Sequence, residues 1–171
     1  MKTPRMKIAV LYCSKHGTTE KVARLISQKK GSDEVHLFNL LQVKDPDIRS
    51  FEEVIIGGSV HYGQIQKQIK VFCEKNKDLL IKRNVGLFIC CMLKEKCEEQ
   101  FEAAFPQYLK DHCRVKGYFG GELLFDKMNF LEKLIVKKVT SVKQTKSDID
   151  LTAIDQFING LENVPTPISV K

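Results

Sequence analysis

Short apolar runs alternate with helical apolar stripes along the chain. Ile8-Ala9-Val10-Leu11-Tyr12 is unbroken, as expected of a strand buried on both faces. From Gly17 the period changes, and Val22, Leu25 and Ile26 fall on one helical face. Residues 35–38 read as a second strand, and Val54-Ile55-Ile56 as a third that runs into Gly57-Gly58. Ile65, Ile69, Phe72 and Cys73 mark a helix, and residues 85–91 a fourth buried strand. Phe101, Ala104, Phe105, Tyr108 and Leu109 form one further helical stripe. Residues 115–124 predict a fifth strand, interrupted by Gly120-Gly121. Met128, Leu131, Leu134, Ile135 and Val139 predict another helix, and Ile154, Phe157, Ile158 and Leu161 the last.

Alternation of this kind implies an α/β domain: a parallel sheet covered by helices on both faces. Right-handed crossovers leave few topologies, and five strands in the order 2-1-3-4-5 is the usual small one. No helix is predicted between the second and third strands, where Asp45-Pro46-Asp47 reads as a turn. Residues 1–163 are expected to form one domain, and residues 164–171, with Pro165 and Pro167, a flexible tail. Ligands of such sheets bind beyond the carboxyl ends of the strands. The loops after strands one, three and four are therefore the candidates for function.

Composition narrows the classes. The 171 residues are 43% hydrophobic and 29% charged, enough for a core and unlike a disordered chain. No apolar run reaches the ~18–20 residues of a membrane span, and the first six residues are too short and polar for a secretory signal. A cytoplasmic protein is expected. The six cysteines contain no C-x-x-C pair and the four histidines are scattered, so no metal site is expected and the cysteines read as packing residues. The formal charge is +7, which favours anionic partners.

The loop after strand one, Ser14-Lys15-His16-Gly17-Thr18-Thr19, joins a strand to a helix N-terminus. Free backbone N–H groups, the helix dipole and three hydroxyls there suit a phosphate, although an ordinary helix cap uses the same residues. G-x-x-x-x-G-K-[ST] and G-x-G-x-x-G are both absent, which argues against a P-loop or a dinucleotide site. After strand three comes Ser59-Val60-His61-Tyr62-Gly63, where Tyr62 offers an aromatic face to a flat ligand. After strand four, Cys91, Met92 and Leu93 offer a wall without an aromatic ring.

Ser14-x-His16-Gly17-x-Thr19 resembles the phosphate loop of flavodoxins, with His16 in place of the usual hydroxyl residue. The resemblance implies a flavodoxin-like fold and an FMN cofactor. It places the phosphate at Ser14, Lys15, His16, Gly17, Thr18 and Thr19, and the flavin between Ser59, Val60, His61, Tyr62 and Gly63 on one side and Cys91, Met92 and Leu93 on the other. The stretch from Val54 to Gly63, and a segment after Gly121 that short flavodoxins lack, resemble the flavodoxin-like, menaquinone-dependent protoporphyrinogen oxidases. That likeness implies electron transfer from a porphyrinogen-like substrate to a quinone. The flavin then carries the chemistry, and no residue need act as a nucleophile. The segment here has fewer aromatic residues, and its cations are all lysine. Two other readings stay open: an electron carrier without a substrate of its own, and a non-catalytic protein on the same scaffold.

Residues 127–146 form a basic insert. Lys127, Lys133, Lys137, Lys138, Lys143 and Lys146 face a single acid, Glu132, so the insert carries net +5 and the rest of the chain +2. Its apolar stripe is expected to cover the domain with the lysine stems reaching water, while the lysine face suits peripheral contact with an anionic membrane. A basic patch without a recognition motif does not point to nucleic acid.

Overall fold

The computed structural model describes residues 5–31, 33–123, 125–140 and 146–163. The proline-bearing tail at 164–171 lies outside them. Strands β1 (Lys7–Cys13), β2 (Glu34–Asn39), β3 (Glu53–Ser59), β4 (Asn84–Cys90) and β5 (Val115–Tyr118) form an all-parallel sheet in the order β2-β1-β3-β4-β5. The three central strands are buried almost throughout, which is why they read as continuous apolar runs.

Helices α1 (Thr18–Lys29) and α7 (Leu151–Glu162) cover one face, packing Val22, Ile26, Ile154 and Phe157 against Val10, Ile55 and Phe88. On the other face lie α2 (Lys67–Lys75), α3 (Lys77–Leu80), α4 (Cys97–Ala104) and α5 (Gln107–His112), with Ile69, Phe72, Phe101 and Leu109 on Leu11, Ile56 and Leu87. The helix-less passage from β2 to β3 crosses this second face. It buries Leu40, Ile48 and Phe51 there, so a loop does a helix's work.

In the sheet, Gly57, Phe88 and Gly117 stand side by side on β3, β4 and β5. A Cβ at Gly57 would overlap the Phe88 ring, and one at Gly117 the ring of Phe119. Glycine on both sides thus admits the packed rings of Phe88, Phe119 and Phe157. At the opposite end of the strands, Lys30 and Glu53 are both buried, with Nζ and Oε1 3.2 Å apart.

Two elements differ from the pattern-based expectation. The stripe from Phe101 to Leu109 is two helices, α4 and α5. Pro106 supplies no N–H and drives Phe105 into an extended conformation, so the helix stops although its apolar spacing continues. The fifth strand ends at Tyr118 rather than running to residue 124. Gly120 takes φ +69, and a Cβ there would collide with the Asp148 carbonyl oxygen. The chain turns out of the sheet at that point. It makes the short strand β6 (Glu122–Leu123), the helix α6 (Phe130–Thr140) and the strand β7 (Lys146–Ser147), which pairs antiparallel with β6. Backbone bonds from Asp148 N to Gly121 O (2.8 Å) and from Asp150 N to Phe119 O (2.9 Å) close the base of this excursion.

Candidate functional site

A cavity of about 220 Å³ opens at the carboxyl end of the sheet, between the loops after β1, β3 and β4 and the excursion. The Ser14, His16, Thr18 and Thr19 side reaches it from the first loop. Ser59, Val60, His61, Tyr62 and Gly63 reach it from the second, and Met92 and Leu93 from the third. These are eleven of the residues singled out in the sequence. Lys15, Gly17 and Cys91 do not line it.

The first loop is built for an anion. Gly17, at φ +97, precedes α1 and donates its N–H to Ser14 Oγ at 3.0 Å. A glycine serves here because the left-handed conformation strains any other residue. No side chain caps α1, so its first N–H groups keep the positive end of the helix dipole directed at the loop. Thr19 Oγ1 is buried without a hydrogen-bond partner, and so is Oε1 of Gln100, another residue of the cavity wall. Buried polar atoms of this kind are costly unless something fills the cavity and bonds them. Lys127 Nζ lies 3.4 Å from the His16 carbonyl oxygen, adding a cation beside the loop.

The second loop is a tight turn. His61 and Gln64 exchange both backbone bonds, at 2.9 and 3.0 Å. Tyr62 (φ +52) and Gly63 (φ +74) form the two-residue tip. A tyrosine rarely holds this conformation, which strains the backbone by about 1–3 kcal/mol. It carries the Tyr62 ring to the rim, 71% exposed. Beneath it, Gln66 Nε2 donates to Ser59 Oγ at 2.8 Å, and Ser59 lies 3.0 Å from His61 Nε2. The Ser59 hydroxyl has a second lone pair as well as its proton, so it accepts from His61 Nε2 in one imidazole tautomer and donates to it in the other. Gly58 makes room for this chain, since a Cβ there would sit 2.5 Å from Gln66 Oε1. His61 is exposed as a residue, but the protein crowding its ring, and then the neighbouring His16, lower its pKa. Both effects favour the neutral imidazole.

In the third loop Cys91 turns inward. Its Sγ lies 2.8 Å from that of Cys97, and both thiols donate to the Leu93 carbonyl, at 3.3 and 3.4 Å. Burial raises the Cys91 thiol to about 12 and that of Cys90 to about 12, so both stay protonated. Cys90, not Cys91, faces the cavity, because alternate residues of a strand point to opposite faces. Lys15 likewise points away from the cavity: its Nζ pairs with Glu132 Oε1 at 2.8 Å.

The cavity residues that the sequence did not single out as part of a site come mostly from the excursion. Gly121, Glu122, Met128, Ile135 and Val136 join Cys90 and Gln100 in the wall. The apolar stripe expected to cover the domain is split in two. Met128 and Ile135 face the cavity, whereas Leu131 and Leu134 are exposed, and the side chain of Val139 lies outside the described residues. Charge could have flagged the contact. Glu132 is the one acid of a basic insert, and it meets Lys15 and His16 of the first loop, His16 Nε2 at 3.6 Å. Glu132 also forms a reciprocal cap with Asn129 at the start of α6, at 3.0 and 2.8 Å. The Lys15 ammonium, with the Asn129 N–H, holds its carboxyl down at about 2. Among the described residues no cluster of His, Cys, Asp or Glu could hold a metal ion.

The sheet order and the positions of these three loops define a flavodoxin-like protein. The flavodoxin domain family matches residues 9–150, and the chain belongs to that family. A flavodoxin from Clostridium saccharobutylicum is 32% identical over 84 residues, 47% of this chain. The chain spans about half of that relative's length (52%). Protoporphyrinogen IX dehydrogenase [quinone] from Escherichia coli strain K12 is 21% identical over 169 residues, 90% of this chain and 92% of that protein. Among solved structures, flavodoxin 1 from Bacillus cereus in its oxidised form has a TM-score of 0.50 at 11% identity, over 93% of this chain and 99% of that one. A short-chain flavodoxin associated with a bacterial microcompartment reaches 0.53 at 12%, over 92% and 97%. Identities this low show the shared fold alone.

Proposed function

We propose that the chain is an FMN-dependent oxidoreductase that takes electrons from a porphyrinogen-like reduced substrate and passes them to a quinone. The observation that carries this reading is the wall made by the excursion. The three sheet loops alone would leave the flavin site open, as an electron carrier needs for docking. Here Met128, Ile135 and Val136 close one side with apolar surface, which suits a flat, largely apolar reactant beside the cofactor. The near full-length likeness to the Escherichia coli dehydrogenase supports the same reading.

The residues present fit FMN. The phosphate would sit on the N–H groups at the start of α1, with Ser14, Thr18 and the unpartnered hydroxyl of Thr19 around it. Tyr62 would cover the ring system on one side, with Met92 and Leu93 beyond. When bound, the flavin supplies the electron-accepting and electron-donating chemistry. The protein excludes water with the α6 wall and holds the His61 imidazole, bonded to Ser59, at the cavity as a group able to exchange a proton with a reactant.

The test is in two stages. Titration with FMN, followed by quenching of flavin fluorescence, is expected to show saturable binding that weakens at least tenfold in Tyr62→Ala. Absence of binding overturns the proposal. The loaded protein is then expected to oxidise protoporphyrinogen with menadione as acceptor. Tight flavin binding without that turnover would instead identify an electron carrier.

A further inference from the structure

The helix α6 has two faces of different chemistry. Its inner face puts Ile135 and Val136 in the cavity wall and Glu132 on the first loop. Its outer face leaves three large apolar side chains in solvent: Phe130 at 77%, Leu131 at 68% and Leu134 at 44% exposure. Lys133, Lys137 and Lys138 share that face at helical spacing, the last two exposed and Lys133 half-buried. Folding gains nothing from holding Phe130 and Leu131 in water, and the body of the protein does not need them for its core.

We propose that the outer face of α6 docks on an anionic lipid bilayer, with Phe130, Leu131 and Leu134 entering the headgroup boundary and the lysines meeting lipid phosphates. Charge complementarity selects this occupant. The insert holds most of the chain's net charge, so the field of the protein points this face at a negative surface. A second copy of the chain is disfavoured, because a symmetric contact through this face would bring like-charged lysines together. Aromatic and leucine side chains flanked by lysines on one helical face are what an interfacial helix requires. The contact is peripheral, since no helix among the described residues is long and apolar enough to cross a membrane.

One consequence rests on the oxidoreductase reading. With its outer face in the headgroups and its inner face on the cavity, α6 places the site against the bilayer, where a lipid-soluble electron acceptor dissolves. The docking itself needs neither flavin nor turnover, so the two ideas fail separately.

Co-sedimentation of the full chain with vesicles tests the docking. Vesicles of phosphatidylcholine with 30% phosphatidylglycerol are compared with phosphatidylcholine alone, at low and high salt. Binding is expected only to the anionic vesicles and is expected to fall at least tenfold as salt rises, because screening shortens the reach of the lysines. The variant K133Q/K137Q/K138Q should lose on the order of a hundredfold in binding at low salt. The variant F130S/L131S/L134S should also lose tenfold or more, with far-UV circular dichroism unchanged in both. Three results would overturn the proposal: no sedimentation at low salt, sedimentation that either variant leaves intact, or concentration-dependent self-association of the lipid-free protein that the serine variant abolishes.

Discussion

The sheet body and the excursion from Gly120 to Asp150 use apolar residues for opposite ends. In the body, Ile8, Val10, Leu11, Ile55, Leu87 and Phe88 have no exposed surface, and each is packed between sheet and helix. In the excursion, Met128, Ile135 and Val136 line the cavity, and Phe130, Leu131 and Leu134 stand in solvent. The body spends its hydrophobic positions on stability. The excursion spends them on surfaces for something other than this chain. Substitutions in the two regions should therefore differ in kind, with global stability lost in one and contacts with ligands lost in the other.

The largest effect is expected at the buried pair beneath the sheet. Lys30→Met strands the Glu53 carboxylate in the core, where burial already raises its pKa against the pull of Lys30. The loss should be about 3–5 kcal/mol, measured by urea unfolding. The double variant Lys30→Met/Glu53→Leu should recover most of it, because two apolar groups need no partner. If the single variant is as stable as the parent, the pair is not buried as described.

Next comes Gly120→Ala, at the junction of the two regions. The left-handed backbone and the Asp148 carbonyl both oppose a side chain there. A loss of about 1–3 kcal/mol is expected, together with faster hydrogen exchange in β6 and α6 and little change in the central strands. Uniform loosening of the whole protein would erase the boundary drawn between body and excursion.

The smallest effect belongs to Glu132→Gln. The residue ties α6 to the first loop, so exchange at α6 amides should rise severalfold while the midpoint of unfolding stays put. The pH dependence has a definite sign. Its carboxyl is held down, at about 2 against an ordinary 4.5, so the tie is fully present above about pH 4.5 and is lost as the pH falls through about 2. Amide exchange at α6 that already rises between pH 7 and 5 would contradict the pairing with Lys15.

The three central strands were legible because burial on both faces demands continuous apolar runs. Their order followed from handedness and connection rules. The first loop was legible because an anion needs small hydroxyl residues and a glycine at a helix start. The break between α4 and α5 was written at Pro106, but the unbroken apolar spacing from Phe101 to Leu109 hid it. The end of β5 depended on a contact between Gly120 and Asp148, 28 residues apart, which no local pattern carries. Cys90 and Cys91 show the same limit. Adjacent in sequence, they point to opposite sides of β4, and only the start of the strand fixes which one sees the cavity.

What the sequence by itself determined is the part governed by local period and by the chemistry of single loops: an α/β sheet of five parallel strands, a phosphate-suited turn after the first, and a basic insert before the last helix. Tertiary structure decided the direction in which the insert faces. A helix with apolar residues at positions 128, 131, 134 and 135 could lay them all on one core. Here the closure at Gly120 and the ties from Glu132 and Lys127 to the first loop rotate it. Ile135 thus enters the cavity and Leu131 and Leu134 meet solvent, because the orientation of a helix is set by what it packs against and not by its own periodicity.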